Sequence, residues 1–462
     1  MKKKYVRWTL WTIASPFILF VILCILIYLP PIQNFLVDKA AVYASEATGM
    51  NISVGRISLS FPLNLVVTDV DAASPHNDTL LSVRRLQVNV QLLPLLKKQV
   101  EVDGISLQGA TVNSNDLIHG MKLNGTLGEL FISSHGVALD PETAIVNKVL
   151  LKDTDLSLCL NDTAAADTAA SDTTYWKIIL QDIDLQNVSF ALDMPLDSLS
   201  LAASLDNATL RDGLIDLHKS AYSLQTFRIK NGRVRYDSGR PSATASADSL
   251  SAGLDPSHIA LTDIGVKLDS LYYEGRNMKA IISQFVLKER SGVEIVSTEG
   301  RLVSNDKVLR VPSLKLETRD SYLELNAAMD WDALDFKKEG LVSARLMADI
   351  GKPDVVRFMG SMDEKFIRKY PSEPLRIRTG IDGDLNKLKL TTLTAELPGA
   401  LELFAKGELT SLTDSLLRGG DITLQAETKD LKFISTLAEG IEIPYGTRLE
   451  GKFTMAGPKM GT

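Results

Sequence analysis

Leu86-Gln87-Val88-Asn89-Val90-Gln91-Leu92 alternates without a break between apolar and polar residues, and the fold turns on that alternation. Successive side chains of a strand point to opposite faces of a sheet. A period of two therefore collects Leu86, Val88, Val90 and Leu92 on one face and their polar neighbours on the other. The habit recurs in Leu156-Ser157-Leu158-Cys159-Leu160, in Leu323-Glu324-Leu325-Asn326-Ala327 and in Ile422-Thr423-Leu424-Gln425-Ala426. Parallel α/β sheets would show near-continuous apolar strands separated by helices, and that pattern is missing. The expectation is a mainly β chain from Ile52 onward, built as a long antiparallel sheet with a few short helices.

A recurrent unit runs through the strands. Ile105-Ser-Leu107-Gln-Gly109-Ala-Thr-Val112 overlays Val149-Leu-Leu151-Lys-Asp153-Thr-Asp-Leu156. Ile183-Asp-Leu185-Gln-Asn187-Val-Ser-Phe190 and Phe227-Arg-Ile229-Lys-Asn231-Gly-Arg-Val234 share the same template, and Leu205–Leu210 is a weaker copy. Each copy places Gly, Asp or Asn at its fifth position, residue types that tolerate φ > 0. Asn231-Gly232 is a strong hairpin dipeptide. With a two-residue loop there, Ile229 would face Val234 and Phe227 would face Tyr236. Val188 resists φ > 0, so a bent or bulged strand is the alternative. If the four copies pair as hairpins, Leu107, Val112, Leu151, Leu156, Leu185, Phe190, Ile229 and Val234 are expected on one continuous apolar face. The copies start at 105, 149, 183 and 227, a spacing too uneven for a strict solenoid.

The first residues read differently. Trp8–Val37 carries no charge, and its most apolar part, Trp8–Leu29, would span about 33 Å as a helix, enough for a bilayer core. Lys2, Lys3, Lys4 and Arg7 precede it, so the positive-inside rule places the N-terminus in the cytoplasm and the bulk of the chain across the membrane. Trp8 and Trp11 at one end and Tyr28 at the other suit interfacial anchoring, with Phe17 and Phe20 between them. A cleaved signal peptide, with a small-residue site at Val42-Tyr43-Ala44, is the competing reading. The apolar run exceeds the roughly 7–15 residues of a secretory core, which favours an uncleaved anchor.

Composition excludes several classes. Fifty Lys+Arg against 57 Asp+Glu give a net charge of −7, which does not indicate a nucleic-acid surface. Two cysteines, Cys24 and Cys159, exclude a disulfide scaffold, and five scattered histidines offer no metal pair at helical spacing. No nucleophile elbow, P-loop or His-Glu-x-x-His is present. Asp153/Asp155 and Asp182/Asp184 sit at strand spacing and read as solvated outer-face residues. No catalytic residue, metal site or cofactor is expected.

The pattern divides the chain into a cytoplasmic tail (1–7), a transmembrane anchor (8–29) and an amphipathic helix (30–48). A β region comes next (49–160), then a polar loop (161–175), a β-repeat region (176–351), a helix (352–371) and a last β region (372–462) with a short helix at 430–439. Pro353 starts the 352–371 helix, and Val355, Met359, Met362, Phe366 and Tyr370 form its apolar stripe. Asp430 is the candidate N-cap of the shorter one.

Thr48-Gly49-Met-Asn-Ile52-Ser-Val54-Gly55-Arg-Ile57, then Phe61-Pro62-Leu-Asn-Leu65 and Thr68-Asp69-Val70-Asp71, resemble the start of the extramembrane domain of the AsmA-like family. The alternating strand from Leu86 to Leu92 and Val100-Glu-Val102-Asp-Gly-Ile105 continue the likeness. Pro374-Leu375, Gly380-Ile-Asp-Gly383 and Ile443-Pro444-Tyr-Gly are similar to TamB-like members. The resemblance implies a periplasmic protein held in the inner membrane, whose sheet curls into an open apolar trough. It also implies phospholipid acyl chains as cargo between inner and outer membranes, in support of outer-membrane biogenesis. The alternative it carries is a scaffold for outer-membrane protein assembly or secretion beside a β-barrel partner. Family members are usually longer, and Gly451–Ala456 begins another strand, so the chain is expected to be the N-terminal portion of a longer protein.

Overall fold

The computed structural model describes residues 39–455 except 40, 44, 47, 61–62, 75–77, 92–101, 115–119, 139–141, 162–174, 240–252, 336–337, 359–363, 413–417 and 437–443. The expected anchor residues Trp8, Trp11, Phe17, Phe20 and Tyr28 lie outside the described residues. Of the expected amphipathic helix, residues 39, 41–43, 45, 46 and 48 are helical. Among the described residues no helix is long and apolar enough to cross a membrane.

The chain is mainly β, and it forms two compact units, Met1–Leu196 and Asp197–Thr462. The first unit holds β1 (Asn51–Ser60), β2 (Asn64–Ala73), β3 (Thr79–Val90), β4 (Val102–Asn113), β5 (Met121–Ala138), β6 (Thr143–Leu160) and β7 (Lys177–Met194). Each strand pairs with the next in sequence, antiparallel from β1 to β6. The exception is β6 with β7, which run parallel, so the antiparallel expectation needs correcting at this one step. A parallel neighbour needs a connection of about a dozen residues or more, and the polar stretch after Leu160 supplies it.

The second unit begins with β8 (Leu199–Asp216), which pairs with two strands lying in line, β9 (Ala221–Leu224) and β10 (Thr226–Ser238). Both pair in turn with β11 (His258–Glu274). The unit continues as β12 (Asn277–Glu289), β13 (Glu294–Ser304), β14 (Val308–Thr318), β15 (Tyr322–Asp330) and β16 (Val342–Ile350). It ends with β17 (Leu375–Gly383), β18 (Lys387–Leu397), β19 (Leu401–Thr410), β20 (Gly419–Thr428) and β21 (Arg448–Met455). From β11 onward each strand is antiparallel to its successor.

None of the four repeat copies is a hairpin. Each lies inside one strand, β4, β6, β7 or β10, and the chain runs straight on. The fifth residue of each copy is nonetheless left-handed: Gly109 (φ 63°), Asp153 (49°), Asn187 (52°) and Asn231 (52°). A two-residue type I′ hairpin needs φ > 0 at both central residues. Ala110, Thr154 and Val188 stand second and keep negative φ, two of them being β-branched and stiff. One left-handed residue kinks a strand without reversing it.

Between β16 and β17 the expected 352–371 helix is described as two short ones, Lys352–Phe358 and Glu364–Lys369. Of the expected 430–439 helix, residues 430–436 are described, and the helical part among them is one 3-10 turn, Ile434–Thr436. Asp430 accepts the Lys432 N–H at 3.1 Å just before it. These pieces close a small core: Phe366, Tyr370, Leu397, Ala400, Leu431 and Phe433 are all buried together. The three rings meet at centroid distances of 5.2–5.8 Å. Asp354, 1% exposed, ties the first helix to the β14–β15 turn. Its carboxylate accepts the hydroxyls of Thr318 and Ser321 and pairs with Arg357, which also reaches Asp320 at 2.7 Å.

Candidate apolar groove

The position of the left-handed residues shapes the groove of the first unit. Asp69 (φ 55°), Gly109, Asp153 and Asn187 belong to β2, β4, β6 and β7. The register places them in one line across the sheet with Gly55, Arg84 and Gly128 of the intervening strands. The line is crowded on the polar face. A Cβ on Gly128 would stand 2.8 Å from Asp153 Cβ, and one on Gly109 3.2 Å from Arg84 Cβ. The Asn187 amide donates to the Asp153 carboxylate at 2.9 Å.

Crossing this crease reverses side-chain parity. In β1 the half-buried residues are Ile52 and Val54, then Ile57 and Leu59, so the regular step of two becomes three at Gly55-Arg56. In β6 Val149 and Leu151 before the crease and Thr154, Leu156 and Leu158 beyond it follow the same step of three, Thr154 being buried and the others half-buried. The side chains of these residues therefore stay on one face on both sides of the crease.

Three rows run across all seven strands on that face. On one side of the crease stand Ile57, Val67, Leu86, Leu107, Leu130, Leu151 and Leu185 in register. Directly beyond it come smaller residues, Val54, Val70, Val83, Ala110, Leu127, Thr154 and Val188. Next come Ile52, Ala72, Leu81, Val112, Gly125, Leu156 and Phe190. Val83 (6% exposed) and Thr154 (3%) of the middle row and Ala72 (6%) of the third are buried, whereas Leu81 and Phe190, also of the third row, are 37% and 39% exposed. We read the middle row as the floor of a groove and the outer rows as its walls, since two of its residues are buried while the large Leu81 and Phe190 stand exposed beside it. Thr154 donates its hydroxyl to the Lys152 carbonyl at 3.2 Å, so the floor carries no orphaned donor there. Seven strands at ~4.8 Å spacing make the groove about 29 Å long, perpendicular to the strands.

What covers the walls decides the site's character. A sealed sandwich core buries such leucines almost completely. Here Leu107, Val112, Leu151, Leu156 and Leu185 are all half-buried. Among the described residues of this unit, the elements in extensive contact are the paired neighbours. The opposite face is more polar, although Val66, Phe131 and Leu150 lie on it: Arg85 bonds Gln87 at 3.3 Å, Gln87 bonds Asn89 at 3.1 Å, and the Ser189 hydroxyl meets Asp155.

Of the eight expected face residues, six thus stand together on the two walls of the first unit. Ile229 and Val234 belong to the second unit. There Ile229 faces Ala208 and Val266, and Val234 faces Ala203 and Leu261. Asn231 donates to Asp206 at 2.9 Å, as Asn187 does to Asp153. Arg228, Lys230, Arg233 and Arg235 are exposed on the other side. The structure adds two further copies of the unit that sequence reasoning missed: Leu65-x-Val67-x-Asp69-Val70 and Ile259-x-Leu261-x-Asp263-Ile264, both left-handed at the aspartate. Their signal is the same, an apolar pair two apart, then Asp, then apolar residues on the other parity.

Another concavity lies on β18–β21, lined among others by Glu396, Glu402, Gln425, Glu427 and Arg448. Glu396 pairs with Arg376 at 3.5 Å and Glu402 with Lys429 at 3.0 Å, so these charges are matched within the protein. Among the described residues no group of His, Cys, Asp and Glu side chains is arranged to hold a metal ion. No protein-family model matches the chain, and no curated protein matches its sequence.

Proposed function

We propose that this protein is a lipid conduit rather than an enzyme. It would be anchored in the inner membrane by residues 8–29, with its β units in the periplasm, where its apolar groove moves phospholipid acyl chains between inner and outer membranes. The carrying observation is the half-buried apolar face of the first unit, with Leu81 and Phe190 more than a third exposed on its walls. Physics supplies the need. A phospholipid crossing water exposes on the order of 30 CH₂ groups at ~0.8 kcal/mol each, a penalty on the order of 20 kcal/mol. A continuous apolar lining removes most of it without any specific polar ligand.

A photocrosslinker at Phe190 tests the reading. Lipid should be captured there, and a probe at Gln186, on the polar face, should capture none. Mass spectrometry of co-purified lipid gives the second measurement. Capture of protein alone at Phe190 would favour an assembly scaffold or a covered core and would overturn the conduit.

A further inference from the structure

We propose that the left-handed residues Asp69, Gly109, Asp153 and Asn187 are positioning residues that put both walls of the groove on one face. The inference rests on reading the groove as the lipid site, and it assigns a role to residues that never touch its contents. In a regular strand, residues an odd number apart point to opposite faces. Leu107 and Val112 are five apart, as are Leu151 and Leu156, and Leu185 and Phe190. Without the crease, one wall of each pair would turn to the polar face and Asp155 or Ser189 would replace it. A single left-handed residue between them inserts the missing half-step.

The line is also collective. Each left-handed residue stands opposite its counterpart or a partner at the same level of the neighbouring strand, so pairing keeps a one-to-one register on both sides of the crease. A strand that lost its kink would be out of step with both neighbours, because a one-residue slip exchanges faces. The residue types match the requirement. Glycine has no Cβ penalty at positive φ, and Asn and Asp are the side chains that tolerate it best. Valine, branched at Cβ, does not.

The test uses the full chain with Cys24 and Cys159 replaced by serine, and it probes the β6–β7 pair. Leu156→Cys with Phe190→Cys reports the wall beyond the crease, and Leu151→Cys with Leu185→Cys reports the wall before it. Both pairs should form disulfides on mild oxidation. Asn187→Gly should leave both unchanged, whereas Asn187→Val should cut the Leu156/Phe190 crosslink about tenfold and spare the Leu151/Leu185 control. Equal crosslinking in the Gly and Val variants would overturn the assignment. So would loss of both pairs in Asn187→Val, since that is unfolding rather than a change of face. Binding of a pyrene-labelled fatty acid is measured alongside. It should track the far-wall crosslink, intact with Gly and about tenfold weaker with Val. Failure of the unsubstituted chain to bind the probe, with the crosslinks as expected, would sink the lipid reading and leave the crease standing.

Discussion

The groove of the first unit and the small core between the helices and β17–β20 of the second are built from the same kinds of residue. Leu185 and Phe190 line one, and Leu397 and Phe433 fill the other. Leu397 is 3% exposed and Phe433 8%, while Phe190 is 39% exposed. Burial therefore reports on what stands opposite a side chain. In the core, two short helices and a 3-10 turn fold over the strand ends and complete the packing around Ala400. In the groove a single sheet supplies the lining, and among the described residues of that unit the elements in extensive contact are the paired strands. An apolar residue in the core is enclosed by protein; one on the groove wall, such as Phe190, keeps part of its surface open to solvent.

Charge insertion separates the two regions most strongly. Leu397→Asp buries an unpaired carboxylate and should cost about 4 kcal/mol or more, melting the β17–β20 end of the unit. Leu185→Asp keeps access to water and should cost only about 1–2 kcal/mol, the value of the half-buried leucine surface. Chemical denaturation monitored by hydrogen exchange of each region measures both, and equal losses would erase the distinction between sealed and open.

Truncation should give the same ordering on a smaller scale. Phe433→Ala leaves a cavity among Phe366, Tyr370 and Leu397 and should cost about 3–4 kcal/mol. Phe190→Ala should cost about 1 kcal/mol, because much of the ring is already in water. A melting-temperature shift as large for Phe190→Ala as for Phe433→Ala would mean that something covers the groove.

Asp354→Asn probes the polar support of the sealed region. The amide keeps the shape but loses the charge that Arg357, Thr318 and Ser321 share, for an expected loss of about 2 kcal/mol. Arg357 retains Asp320, so the helix should stay docked, with faster exchange confined to Lys352–Phe358 and the β14–β15 turn. Exchange rising equally in the groove strands would show the two regions to be energetically one.

The smallest expected effect is a pH response of the core. Burial raises the pKa of the Tyr370 phenol above its ordinary value near 10. A raised pKa contributes stability that is full below the unfolded value and is lost as pH climbs through the folded one. Stability of the β17–β20 end should accordingly decline above about pH 10, and Tyr370→Phe should remove that part of the decline. A profile unchanged by Tyr370→Phe would place the phenolate in water.

Much of the fold is legible in the sequence, residue by residue. Alternation at Leu86–Val90 and Leu156–Leu160 identifies strands, and the recurring Gly109, Asp153, Asn187 and Asn231 mark positions for positive φ. A left-handed residue alone does not say whether the chain turns back, and the hairpin expectation fails at that point. A hairpin and a kinked strand can use the same left-handed residue, and they differ in the conformation of the next one. Thr154 and Val188, stiff at Cβ, point to the kinked strand. The parallel step from β6 to β7 is hidden, because strand direction leaves no mark on the alternation of either strand.

By itself the amino-acid sequence determined the period of the strands and the positions that tolerate positive φ, because these are local properties of backbone sterics and side-chain spacing. Only the tertiary structure decided that the left-handed residues of β2, β4, β6 and β7 fall into a single line, since register is set by pairing between distant segments. It likewise decided that Phe433 is sealed and Phe190 open. Apolar pattern says which face avoids water, and only packed neighbours say whether protein is what it meets instead.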